Sequence, residues 1–175
     1  MKMQVLFTDI AKTGNHYEIS DDSWLKEQEL PRISPLVAEL HLERKGDSRV
    51  AVRGFLKTRI QLSCDRCGVQ YGYPVNVTFH LILEVPSDES WQIRELECTG
   101  EDLDTVLLTE PVVDMADILR QQLYLGLPEK MTCTEECKGL CSQCGADLNK
   151  TPCSCVEEVK ESPFAILAKL KDKDN

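Results

Sequence analysis

Six of the chain's nine cysteines fall between Cys133 and Cys155, in a run that reads C-TEE-C-KGL-C-SQ-C-GADLNKTP-C-S-C. A stretch this dense in thiols must either oxidise them in pairs or give them to a metal. Cys141-x-x-Cys144-Gly145 has the spacing of a zinc knuckle, in which a tight turn aims two thiolates at one ion and glycine follows where the backbone needs a positive φ. Cys153-x-Cys155 supplies a second pair after an eight-residue loop, and Cys133 and Cys137 precede the knuckle. The run therefore predicts a zinc module using four of these six sulfurs, with Cys141, Cys144, Cys153 and Cys155 the preferred set.

A disulfide framework is the competing explanation. The opening MKMQVLFTDIAKTG is polar and lacks the apolar centre of a signal peptide, which predicts a reducing, cytoplasmic setting. Nine cysteines is also an odd number, awkward for a fully oxidised domain. Iron–sulfur ligation suits thiolates too, but the Cys-x-x-Cys-Gly knuckle favours tetrahedral zinc.

At 175 residues with 42% hydrophobic content the chain suits one main domain and a small appendage. No apolar run approaches the roughly 20 residues that span a bilayer, so neither membrane insertion nor a membrane partner is expected. A net charge of −10 argues against wholesale non-specific nucleic-acid binding, which depends on neutralising phosphates.

Along the chain, residues 3–10 predict a strand, with 16–19 as its pairing partner across the turn chemistry of Thr13-Gly14-Asn15. Pro31 and Pro35 are expected to break the chain. From Leu36 onward apolar and polar residues alternate, and Gly46-Asp47 offers a turn. The next predicted strand runs from Ser48 to about Ser63, with Val50, Val52, Leu56, Ile60 and Leu62 toward the core. Its opposite face carries Arg49, Arg53, Lys57 and Arg59 together with Phe55, and Gly54 marks a bulge or bend.

Charge is concentrated here. Residues 44–66 hold seven basic and two acidic side chains, a local +5 against −15 over the remainder. A solvated edge strand carries such residues to discourage aggregation. An RNA- or anion-binding surface made by Arg49, Arg53, Lys57, Arg59 and Arg66, with Phe55 available for stacking, is the functional alternative.

The strand ends at Cys64-Asp65-Arg66-Cys67, and a return strand follows with Val75, Val77, Phe79, Leu81, Leu83 and Val85 on one face. This second Cys-x-x-Cys thus sits at a hairpin tip, not between strand and helix as in thioredoxin-type redox proteins. Setting Cys98 aside leaves eight thiols, enough for two four-sulfur sites if Cys64 and Cys67 meet Cys133 and Cys137. A single zinc with the tip unmetallated is preferred, since no sequence feature brings the tip to the later cysteines. A closed cage of thiolates is structural, whereas catalytic zinc keeps an open position. His16, His41 and His80 read as strand residues, and no nucleophile elbow, phosphate-cradling loop or small-molecule site is evident.

The stretch 87–102 reads as an acidic loop, and Thr105–Leu108 as a further strand. Asp114 caps a predicted helix from Met115 to Leu125 with Met115, Ile118, Leu119, Gln122 and Leu123 inward, and Gly126-Leu127-Pro128 stops it. Ser162-Pro163 starts a last helix from Phe164 to about Lys171. The expected fold is α+β: an antiparallel twisted sheet or partial barrel with two or three helices. Its expected parts are a main domain at 1–128, a cysteine-rich module at 129–156 and a packing helix within 157–175.

The hairpin Cys64-Asp-Arg-Cys67, the helix end Leu125-Gly-Leu-Pro128, the run from Cys137 to Asn149 with Cys153-Ser-Cys155, and the closing Ser162-Pro-Phe-Ala-Ile-Leu167 resemble the YceD family. Gly68 stands where that family commonly has a bulky apolar residue, and Ser142 where it often has proline; neither change touches a thiol. The resemblance implies a non-enzymatic role in ribosome assembly or accumulation of large-subunit ribosomal RNA. It also implies that the shared work lies near Cys64, Arg66 and Cys67, since some members lack the C-terminal cysteines. The leading expectation is a zinc protein whose basic face engages ribosomal RNA or an assembly intermediate. A protein-binding adaptor for a basic ribosomal partner is the alternative, favoured by the net acidity. A thiol–disulfide enzyme using Cys64 and Cys67 comes third.

Overall fold

The computed structural model describes residues 3–21, 23–25, 30–86 and 104–155. The chain falls into two compact units, Met1–Cys133 and Thr134–Asn175. Cys98, the acidic stretch and the closing helix anticipated after Pro163 lie outside the described residues.

The first unit is built on three long strands. β3 (Arg32–Arg44), β4 (Arg49–Ser63) and β5 (Gln70–Glu84) pair in an antiparallel meander. β4 and β5 form one uninterrupted hairpin from Arg49↔Glu84 to Ser63↔Gln70, so the register runs through Gly54 without the bulge expected there. Alternation drives this, with Ala51 the one buried residue of the outer parity: Val50, Val52, Leu56 and Ile60 are wholly buried while Arg53, Lys57 and Arg59 face solvent. Each such buried aliphatic contributes roughly 1.5–3 kcal/mol, which pins the register, because a one-residue slip would turn every one of them outward.

Short elements complete the unit. β1 (Gln4–Leu6) leads into a 3₁₀ turn at Phe7–Asp9, and β2 (Asn15–Ile19) follows. β6 (Thr105–Leu107) and β7 (Val112–Asp114) precede α1 (Met115–Leu125). The main sheet has the order β2-β3-β4-β5-β6 and is open, and β6 joins β5 in parallel, so the sheet is mixed rather than wholly antiparallel.

Three expectations are corrected. β2 does not pair with the first strand: it lies antiparallel to β3, while β1 pairs with β7. The chain coils at Phe7–Asp9 and buries Phe7 and Ile10, so β1 is too short to continue as a hairpin arm. Pro35 does not end a segment. It sits inside β3 where the register against β4 shifts between Ser34 and Val37, and β2 reaches β3 only from Ala38 onward. Finally, the described residues hold one α-helix rather than two or three.

That helix matches its expected stripe. Met115, Ile118, Leu119, Gln122 and Leu123 are buried, and Asp114 Oδ1 accepts from the Asp117 backbone N–H at 3.0 Å. Gly126 ends it with ordinary right-handed φ, so its role is packing: a Cβ there would lie 2.5 Å from Val77 Cγ2 and 2.8 Å from Val75 Cγ1 on β5.

Candidate metal centres and a cationic sheet face

In the first unit, the β4–β5 tip folds into a tight turn, with the Gly68 N–H donating to Cys64 O at 2.8 Å and Gly68 at φ 70°. Asp65 fastens this tip to a distant stretch. Its backbone N–H donates to Met131 O at 2.7 Å, and its Oδ2 accepts from the Met131 N–H at 2.8 Å. Two residues further on, Cys133 joins Cys64 and Cys67, with all three Sγ atoms within 4.8 Å of one another. The expectation that nothing brings the tip to Cys133 is therefore overturned, and Asp65, marked by neither its spacing nor its charge, makes the connection.

Four sulfurs about 2.3 Å from a zinc ion define a tetrahedron with edges of about 3.8 Å. The Cys67 and Cys133 sulfurs are 3.7 Å apart, so these donors fit such an ion in chemistry and spacing. Burial acts to raise the Cys64 thiol, but backbone N–H groups of Cys133, Cys67 and Arg66 outweigh it and bring the thiol down to about 6. The turn is thus prepared to hold a thiolate.

In the second unit, Cys141, Cys144, Cys153 and Cys155 gather with all four sulfurs within 4.8 Å. The knuckle is built as its spacing foretells: the Gly145 N–H donates to Cys141 O at 2.9 Å, Gly145 takes φ 73°, and the Gln143 N–H points at Cys141 Sγ at 3.4 Å. Backbone N–H groups of Cys144 and Gln143 lower the Cys141 thiol to about 6. Cys155 is pushed up to about 12 because its proton is shared with Cys144, burial adds to this, and Cys141 lies nearby. One cluster cannot hold four negative sulfurs without a cation, and a divalent ion reverses that cost.

The loop between these thiols is braced from within. Asn149 Oδ1 accepts from the Lys138 N–H at 2.8 Å, and its Nδ2 donates to Cys137 Sγ at 3.4 Å. Asp147 Oδ1 in turn accepts from the Asn149 N–H at 3.0 Å. The Asp-Leu-Asn segment is therefore a support for Cys137, a role that spacing alone did not disclose.

The cations of β4 divide into two sets. Arg49 is paired with Glu84 at 2.8 Å, and Arg66 stands exposed at the hairpin tip with its backbone N–H directed to Cys64. Arg53, Lys57 and Arg59 project from the middle of the outer face; among the described residues none of them forms a close ion pair, although Glu43 feels the charge of Arg53. Lys57 Nζ lies 5.3 Å from the Phe55 ring centre. A cleft of about 460 Å³ opens here, lined by His16, His41, Arg53, Phe55, Lys57 and Asn76 among others. The register places His16 opposite His41, His41 opposite Arg53 and Arg53 opposite His80, so all three histidines share one cross-strand row. Parity put them on strands; only the register shows the row.

An open, mixed sheet with one α-helix and two groups of thiols able to hold metal ions defines a cysteine-rich α+β protein. The chain belongs to the YceD family: the family model described as large ribosomal RNA subunit accumulation protein YceD matches residues 52–171. It is 28% identical over 166 residues to large ribosomal RNA subunit accumulation protein YCED homolog 1, chloroplastic, of Arabidopsis thaliana, covering 83% of this chain and 51% of that protein. The Zea mays protein of the same name is 29% identical over 147 residues, covering 71% of this chain and 50% of that one. The chain thus spans about half the length of these curated relatives. No solved structure matches it.

Proposed function

We propose that this chain is a non-enzymatic zinc protein that supports accumulation of large-subunit ribosomal RNA, contacting RNA or an RNA–protein intermediate through the outer face of β4. Zinc is held at two structural sites in this reading. One uses Cys141, Cys144, Cys153 and Cys155. The other uses Cys64, Cys67 and Cys133, gathered at the hairpin tip. Both are cages that fasten loops, and a reducing, cytoplasmic setting keeps their sulfurs available.

The RNA reading is carried by one observation: Arg53, Lys57 and Arg59 stand together on one exposed strand face, with no close ion pair among the described residues, in a chain of net charge −10. In an acidic protein such cations would ordinarily be matched, as Arg49 is by Glu84. The names of the relatives agree with a ribosomal role.

The test is the double variant Arg53→Glu, Arg59→Glu. Weaker binding of the purified protein to large-subunit ribosomal RNA, with unchanged zinc content, is expected. Undiminished RNA binding, or capture of a basic ribosomal protein that survives nuclease and the double substitution, would move the function to the adaptor reading.

A further inference from the structure

A face that only neutralised phosphate would need its cations and nothing else. The cleft on β4 offers more. Phe55 stands between Arg53 and Lys57 on the solvent side, only partly buried, with its ring accessible enough for Lys57 to lie over it at 5.3 Å. At a rise of about 3.3 Å per residue the two cations emerge about 13 Å apart along the strand, with the aromatic ring midway.

The surroundings assign sides to this groove. Glu39 and Glu18 lie on the β3 and β2 flank, where their carboxylates approach His16 Nε2 at 3.9 Å each. The β5 flank carries Asn76 opposite Lys57, Thr78 opposite Phe55 and His80 opposite Arg53, all uncharged or basic. An anionic backbone is therefore repelled from one flank and accepted on the other. On the β3 side His41 is held at the rim by the preceding turn: a Cβ on Gly14 would fall 2.4 Å from both His41 Cε1 and Nε2, so the imidazole occupies the space glycine leaves.

We infer that this cleft is a seat for single-stranded RNA, with one unpaired base against Phe55, its flanking phosphates on Arg53 and Lys57, and its edge met by His41, Asn76 or Thr78. The inference rests on the RNA reading of this same face and adds which form of RNA the face takes. A duplex keeps its base faces stacked on one another and offers a side chain only grooves, phosphates and hydroxyls, so Phe55 would have nothing to hold. An unstacked base gives the ring a partner, while Lys57 leaves the ring for a phosphate. Imidazole, amide and hydroxyl groups supply donors and acceptors to a base edge or a 2′-hydroxyl.

The experiment compares a fluorescent single-stranded RNA of about ten nucleotides with the same strand annealed to its complement, titrated by anisotropy against the zinc-loaded protein. Tighter binding of the single strand is expected. Phe55→Leu, which keeps apolar bulk but removes the ring, is expected to weaken single-strand binding about ten-fold and leave duplex binding unchanged, and Phe55→Trp to restore it. Equal binding of both RNAs that is indifferent to Phe55→Leu but abolished by Arg53→Glu with Arg59→Glu overturns this inference and leaves the RNA function standing. Failure to bind either RNA overturns both.

Discussion

Cys64 is only 3% exposed, yet its thiol is held near 6, as is that of Cys141 in the knuckle. At Cys64 the backbone N–H groups of Cys133, Cys67 and Arg66 oppose the pull of burial, and at Cys141 those of Cys144 and Gln143 do so. A thiol lowered in this way stabilises its turn fully above the ordinary cysteine range of about 8.5, and that contribution fades as pH falls through about 6. Metal held by these sulfurs is therefore lost on the acid side, below about 6, since a bound divalent cation favours the thiolate further. We expect about two zinc ions per chain at neutral pH, one at each cluster of thiols. Cys141→Ser is expected to remove one and Cys64→Ser the other, by metal analysis after gel filtration; a single ion lost by Cys141→Ser and untouched by Cys64→Ser would leave the hairpin tip metal-free. The knuckle was legible in the sequence because its turn, its glycine and its two thiols lie within five residues. The tip cluster was not, because it depends on Asp65 finding Met131 some 66 positions away, and neither residue advertises that hydrogen bond.

At the level of strands and helices, periodicity located what partner choice did not. The inward parity of β4 and the buried stripe of α1 follow from side-chain spacing, and both stand as read from the sequence. Pairing is a property of two segments at once. β1 chose β7 over β2 because the chain first coils through Phe7–Asp9, and the hydrophobic pattern of residues 3–10 holds no sign of that. Pro35 does not break β3 because it sits at a register shift against β4, on a stretch that β2 does not reach. Gly126 ends α1 as expected, with a right-handed φ, and its missing Cβ lets the helix end lie close to β5. Helix propensity alone would have Gly126→Ala stabilise the end of α1 by up to about 1 kcal/mol. The new methyl would press on Val77 Cγ2 at 2.5 Å, and valine in a strand has little rotamer freedom to yield. Overpacking of this kind costs about 1–3 kcal/mol, so the net effect expected is destabilisation, read as a lower urea midpoint with an unchanged slope. A raised midpoint would mean that the helix end can move off the sheet.

Across the whole molecule the governing feature is segregation of charge. Seven basic and two acidic side chains in residues 44–66 leave +5 there, and the other residues of a −10 chain carry −15. Arg44 is paired with Asp47, Lys45 with Glu43 and Arg49 with Glu84, and Arg66 sits at the thiol-bearing tip. The central three, Arg53, Lys57 and Arg59, are exposed and form no close ion pair among the described residues, which in the proposed function leaves them for phosphates. This number sets a measurable quantity. Each phosphate neutralised on a single strand contributes about −0.7 to the slope of log affinity against log salt, so three contacts predict a slope of about −2. The strongly acidic remainder repels RNA beyond the face and works against further contacts, which keeps the slope from approaching that of a basic protein. Replacing Arg53 and Arg59 with glutamine should bring the slope toward about −0.7, the value for the single cation left at Lys57. A wild-type slope near zero would mean that affinity does not come from phosphate contacts, and a slope far steeper than about −2 would place the binding surface beyond these three side chains.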